Sequence, residues 1–246
     1  MDLQRRLAAE GVGTALLLAA VVGSGIMGER LAGGNVAIAL LANAIATGST
    51  LAALILAFGP ISGAHFNPVV TIADASQSGL SWRDVPPYIT AQLMGAVVGV
   101  LAAHVMFGED LFQFSQHARA GGAQLFSEFV ATFGLLAVIW GCARRRSESV
   151  PLAVGLYITG AYWFTASTSF ANPAVTAARA LTNTFAGIRP ADTPGFIAAQ
   201  VAGAAVATLF FRWLRAASLT DANDASFRGK EFPKRHEEAS AHSLHR

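Results

Sequence analysis

Apolar residues gather into six runs, at about 7–27, 36–58, 86–107, 122–143, 150–168 and 194–214, separated by polar or Gly- and Pro-bearing stretches. Each is close to the ~20 residues an α-helix needs to cross a bilayer. Two shorter apolar pieces, 67–77 and 172–183, open on Asn67-Pro68 and Asn172-Pro173. Asn is a preferred N-cap, and Pro fits the first helical position because its missing N–H would be unpaired there anyway. At 1.5 Å per residue such a piece reaches ~15–17 Å, about half the hydrocarbon thickness, so both are predicted half-helices. The stretch from Ser149 to Ala178 carries no charge and is too long for one span. The residue before a proline is biased away from the α region, so the stretch is predicted to break into a span, a turn and a half-helix.

The pattern repeats. Asn67-Pro68-Val69-Val70-Thr71 returns 105 positions later as Asn172-Pro173-Ala174-Val175-Thr176. Glu10-x-x-x-Thr14 matches Glu128-x-x-x-Thr132, and Gln92-x-x-Gly95 matches Gln200-x-x-Gly203. Each half reads span, span, half-helix, span, over about 7–107 and 122–215. Three spans per half is odd, so the second copy must enter from the opposite face. An inverted repeat with broken helices places its site near the midplane.

Composition agrees with a membrane protein: 53% hydrophobic, 13% charged, mean hydropathy +0.47 over 246 residues. A soluble domain carries about a quarter charged residues. Net charge is +2, so the pI of 9.0 makes no case for nucleic acid. Arg5, Arg6, Arg83, Arg144–Arg146 and the basic residues from Arg212 onward fall on one side when the N-terminus is inside. Arg30, Arg119, Arg179 and Arg189 fall on the other. The basic bias of cytoplasmic loops then predicts both termini in the cytoplasm. The first run mimics a signal peptide, but Glu10 interrupts it and has a repeat partner, so it reads as a retained helix. Residues 216–246 read as a solvated, disordered tail, with His242 and His245 without a metal role. The single Cys142 cannot make an intrachain disulfide. No cofactor, metal site or catalytic group is expected, since His-Glu-x-x-His and Gly-x-Ser-x-Gly are absent.

The chain resembles the aquaporin (major intrinsic protein) family in Ser62-Gly63-Ala64-His65-Phe66-Asn67-Pro68-Val69, Asn172-Pro173-Ala174, and the pairs Glu10/Glu128 and Gln92/Gln200. The likeness covers roughly residues 7–215. It implies an all-α membrane fold, a right-handed bundle of six transmembrane helices plus two half-helices, and a single channel domain over 1–215. It also implies a homotetramer in the lipid bilayer, in the inner (plasma) membrane, passing water or small neutral solutes. Two half-helices meeting tip to tip would each present a positive dipole end. Asn67 and Asn172 would cap them and turn amide N–H groups into the lumen, where the barrier disfavours cations. In the family the carboxylates matching Glu10 and Glu128 support the loops that lead into the half-helices. A proton relay is the alternative for this pair, opposed by the lack of further titratable groups along the path. His65 is expected to line the cytoplasmic approach, as a neutral hydrogen-bonding group or as a pH gate. Gly13, Gly95, Gly99, Gly155, Gly160 and Gly203 read as close helix contacts.

One departure bears on substrate. Most members of the family carry Arg after the second Asn-Pro-Ala, and this chain has Val175. Carried over by offset from the two boxes, the other constriction positions are Thr47, Gly160 (with Thr159 and Ala161 as neighbouring alternatives) and Ser169. That set holds no aromatic, His or Arg, so an unusually open ring is expected. Arg179 lies one turn beyond Val175. It either returns a guanidinium to the outer vestibule or simply ends the half-helix, where a cation is favourable. Thr168-Ser169-Phe170-Ala171 before Asn-Pro-Ala-Val resembles a bacterial, arsenic-associated branch of the family. The resemblance suggests glycerol, arsenite as neutral arsenous acid, and methylated arsenicals. A proton-coupled small-solute transporter on an inverted-repeat scaffold is the alternative; an intramembrane enzyme and a formate/nitrite-type channel rank below it.

Overall fold

The computed structural model describes residues 1–143 and 146–228, with side chains as far as Leu214. Arg144, Arg145, His242 and His245 therefore lie outside the described residues. The chain divides into two units, Met1–Thr208 and Leu209–Arg246. All regular structure in the described residues is helical: α1 Leu3–Leu31, α2 Val36–Ser62, α3 Pro68–Ser76, α4 Val85–Phe107, α5 Gly122–Ala143, α6 Val150–Phe164, α7 Pro173–Arg179 and α8 Thr193–Arg228. This is the bundle of spans and two half-helices expected of the sequence.

Five of these segments are long and apolar enough to cross a membrane by themselves, the last over Pro190–Leu214. The sixth span, α6, has 15 helical residues behind a 3-10 turn at Ser147–Ser149. It stops at Phe164, short of the expected residue 168, because Thr165 turns to extended backbone (φ −110°, ψ 137°), and Thr168 and Ser169 beyond it take left-handed backbone (φ 61° and 51°) that no helix accommodates. The second half-helix is likewise shorter than expected, 7 residues ending at Arg179. Beyond it the chain turns, and Ile188 N–H donates back to the Arg179 carbonyl at 3.2 Å.

The half-helices are exchanged between the halves. Ala174, Val175 and Ala178 of α7 sit in a core with Leu17, Val21 and Val100 of α1 and α4. Val69, Val70 and Ala73 of α3 sit in a second core with Leu135, Val154 and Ile158 of α5 and α6. Close approach between spans rests on glycines. A Cβ on Gly95 would lie 2.2 Å from the Gly11 carbonyl oxygen, and one on Gly203 would lie 2.4 Å from that of Phe129. Small residues at such crossings let backbones meet where lipid removes the hydrophobic drive for association. Gly160 is no such contact: nothing lies within 4 Å of its Cβ position. Outward-facing residues such as Leu156, Val105 and Phe126 are 73%, 69% and 67% exposed, an apolar mantle that suits lipid and disfavours water. The protein is a multi-pass membrane protein.

Candidate functional site

Two irregular segments, 63–67 and 168–172, lead into α3 and α7. Their backbones repeat residue for residue. Gly63, Ala64 and Phe66 have φ of 92°, 50° and 49°; Thr168, Ser169 and Ala171, each 105 positions on, have 61°, 51° and 49°. Left-handed backbone is disfavoured for residues with a Cβ, more so for β-branched Thr168, and it persists where surrounding structure dictates it. Here the dictating groups are two buried carboxylates. Glu10 accepts from His65 N–H (3.0 Å) and Phe66 N–H (2.7 Å). Glu128 accepts from Phe170 N–H (2.9 Å) and Ala171 N–H (2.9 Å).

Gln92 and Gln200 complete the scaffold. Gln92 Nε2 donates to Glu10 (2.8 Å) and to Thr71 Oγ1 (2.9 Å), whose hydroxyl donates to the Asn67 carbonyl (3.0 Å). Gln200 Nε2 donates to Glu128 (2.6 Å) and to Thr176 Oγ1 (2.8 Å), whose hydroxyl donates to the Asn172 carbonyl (2.8 Å). Ser62 and its repeat counterpart Ser167 each accept from the N–H two residues on, Ala64 (3.0 Å) and Ser169 (3.2 Å), and Ser62 also donates its hydroxyl to Glu10 at 2.6 Å. Bonds to a charged acceptor are about twice as strong as neutral ones, and they fix both loops against the left-handed strain.

Asn67 and Asn172 come together at the half-helix tips. Asn67 Oδ1 caps α3 through Val69 N–H (3.1 Å), followed by Pro68 at the first helical position. Asn172 Oδ1 caps α7 through Ala174 N–H (2.9 Å) and Val175 N–H (3.3 Å), followed by Pro173. Each amide nitrogen crosses to the other half: Asn67 Nδ2 donates to the Ala171 carbonyl (2.8 Å), and Asn172 Nδ2 to the Phe66 carbonyl (2.7 Å). A carboxamide has two N–H bonds, so one on each remains for the space beside it.

That space is a cavity of about 350 Å³. Asn67 and Asn172 both line it, together with His65, Asp74 and Arg179. His65 Nδ1 lies 3.2 Å from Thr71 Oγ1, and its Nε2 lies 3.6 Å from the Asp74 carboxylate. Of the constriction positions carried over by offset, Thr47, Ser169 and Val175 line the cavity. Gly160 does not. On α6 the cavity is faced by Ile158 and Tyr162, and Tyr162 Oη donates to Thr47 Oγ1 at 3.3 Å. Gly160 is two residues from each, about 200° round the helix, and so turns outward beside Leu156. Neither neighbour faces the cavity: Thr159 hydroxyl bonds the Gly155 carbonyl (2.9 Å), and Ala161 is packed at 0% exposure. The cavity wall beside Thr47 thus contains an aromatic, Tyr162, that counting back from Asn172 did not find. Its one signal in the sequence is the Tyr162-Trp163-Phe164 run.

Polar and apolar groups share the cavity wall. Ser169 Oγ is buried with no protein partner among the described residues, while Val175 and Ile158 present methyls. Beside them, Arg179 is 2% exposed and donates from Nε to the Ala186 carbonyl. Its Cζ lies 3.4 Å from the Phe170 ring centroid. A second arginine arrives from the loop between α4 and α5: Arg119 Cζ is 5.1 Å from the same centroid. Burial pulls the Arg119 guanidinium below the ordinary arginine range. The Asp192 carboxyl sits below the usual aspartate range, chiefly through the side-chain hydrogen bond from Arg189 (2.8 Å) and also through Arg119 N–H (2.8 Å).

The family model described as major intrinsic protein (MIP) matches residues 1–171, ending one residue before the second Asn-Pro. The chain is 54% identical over 213 residues to the aquaglyceroporin AqpS of Rhizobium meliloti (strain 1021), covering 87% of this chain and 91% of that one. It is 35% identical over 159 residues to aquaporin NIP6-1 of Arabidopsis thaliana, covering 63% of this chain and 51% of that one, so it spans about half that plant relative's length. Among solved structures, the aquaglyceroporin from Plasmodium falciparum shares the fold with a TM-score of 0.66 at 20% identity, over 85% of this chain and 96% of that one.

Proposed function

The chain belongs to the major intrinsic protein family, and from that premise we propose that it is a passive channel for water, glycerol and arsenous acid, extending to methylated arsenicals. The family consists of membrane channels for small neutral solutes and not of enzymes. The observation that carries the proposal is the meeting of two capped half-helix tips on one cavity, each with a carboxamide N–H left for a permeating oxygen. Positive dipole ends at that point disfavour cations and orient a passing hydroxyl.

Glycerol is supported by the likeness to AqpS, named an aquaglyceroporin. Arsenous acid, uncharged and hydroxylated, presents the same chemistry. Thr47, Tyr162 and Ser169 offer hydroxyls to it on one side, and Val175 offers methyls to a solute's carbon or arsenic on the other. Glu10 and Glu128 support the loops rather than relay protons, because their oxygens are engaged by backbone N–H groups. In the same reading residues 1–215 form the channel domain and 216–246 a tail. The protein works as a homotetramer in the plasma membrane with both termini in the cytoplasm, and His65 lies on the cytoplasmic approach.

The test is stopped-flow light scattering on purified protein in liposomes, comparing water, glycerol, urea and arsenous acid. Downhill flux of glycerol and arsenous acid above empty liposomes is expected. Uptake that collapses when the proton gradient is discharged would instead establish the coupled transporter. Val175→Arg is expected to lower glycerol and arsenous acid flux more than water flux; equal loss of all three contradicts a selectivity role for this position.

A further inference from the structure

Val175 removes the guanidinium from its usual place, yet positive charge is still held beside the cavity. Arg119 and Arg179 approach one aromatic ring, Phe170, whose own N–H is fixed by Glu128. Neither guanidinium has a carboxylate partner within ion-pair distance among the described residues. Three successive carbonyls hold them: Arg119 donates to Phe185 (3.4 Å) and Gly187 (2.8 Å), and Arg179 to Ala186 between them. Arg119 also reaches the Ser167 carbonyl at 3.3 Å, so it ties the segment before α7 to the segment after it. Neutral acceptors and a ring face satisfy the guanidinium geometry without cancelling its charge. Of the two, Arg179 lines the cavity, and its terminal nitrogens have no acceptor among the described residues.

We infer that Arg179, displaced one turn from the usual position, is a second cation-excluding group of this pore beside the half-helix tips, and that Arg119 and Phe170 are the positioning residues that keep it on the lumen. The inference rests on the channel reading above. On this inference the wall at Val175 presents methyls to a solute while Arg179 closes the path to protons and sodium. A neutral solute meets donors at the Arg179 Nη atoms and passes; a cation meets an unneutralised charge in a low-dielectric wall.

The experiment reads proton leak with an entrapped pH dye under an imposed gradient, as a ratio to the amount of channel protein reconstituted in the same liposomes, with glycerol flux measured beside it. For Arg179→Gln the ratio of leak to channel protein is expected to rise about tenfold or more, as suits the loss of one unit charge beside an ion's path. Arg119→Gln and Phe170→Leu are expected to raise it in the same direction by less. Moving the charge back, in Val175→Arg with Arg179→Gln, is expected to return the ratio to the parent's value. A purely structural role for Arg179 would not be rescued in this way. An unchanged ratio in Arg179→Gln, or a high ratio that the double variant keeps, overturns the inference and leaves the channel reading standing. Should Arg179→Gln alone fail to fold, the double variant and Arg119→Gln decide it: a parent-like ratio in the first with a raised ratio in the second supports the inference, and any other pairing overturns it. Absence of glycerol flux in the parent protein would instead sink the channel reading itself.

Discussion

A methyl group added at Gly13 would lie 2.1 Å from Cε1 of Phe66. Phe66 is 1% exposed and held edge-on to Phe58 at 6.2 Å, so its ring has nowhere to swing, and its carbonyl is the acceptor for Asn172. Gly13→Ala is therefore expected to cost about 1–3 kcal/mol by overpacking. It should also displace the central carboxamide, so glycerol flux should fall with the melting temperature read by tryptophan fluorescence in detergent. At this scale the sequence was most legible where chemistry and position coincide. Asn-Pro declares a capped helix start, and its repetition declares the partner. It was least legible where position depends on register. Tyr162 and Gly160 are two residues apart, yet one faces the cavity and the other faces outward. A rotation of about 100° per residue turns a small error in the length of the α6–α7 connection into a different wall.

Seven residues are too few for an isolated helix, since nucleation alone defeats anything much below a dozen. What keeps α7 formed is the Asn172 cap and the Glu128 carboxylate, which freezes the segment before it. Glu128→Gln puts a weaker, neutral acceptor where two backbone N–H groups and Gln200 converge. A loss of about 2–3 kcal/mol is expected, the scale of a buried hydrogen bond to a charged group, with raised hydrogen exchange at residues 168–180. An unaltered exchange pattern there would contradict this account of the element. The expectation of two half-helices was correct from length and caps. Their ends were less accurate, because α7 stops where its loop folds back on the Arg179 carbonyl, a tertiary event with no local signature.

Across the whole molecule, the duplication was readable from the 105-residue offset, whereas the strap between α4 and α5 was not. Arg119 joins Gly187 and Ser167 across 68 and 48 residues, and no periodicity announces such a reach. The strap has its own pH dependence. Because the Asp192 carboxyl is held below its ordinary value by Arg189 and Arg119 N–H, its contribution is present above the unfolded pKa of about 3.9. It is lost as pH falls through the lower folded value. Exchange at residues 115–121 should rise in acid below about pH 4, and Asp192→Asn should produce the same opening at pH 7. The reciprocal bonds of Asn67 to Ala171 and of Asn172 to Phe66 carry a further consequence. During synthesis the first box waits, its amide donor unmatched, until more than a hundred further residues have been made. A chain cut in the loop after α4 yields two fragments that complete each other, and neither alone satisfies its own midpoint except by pairing with a second copy of itself.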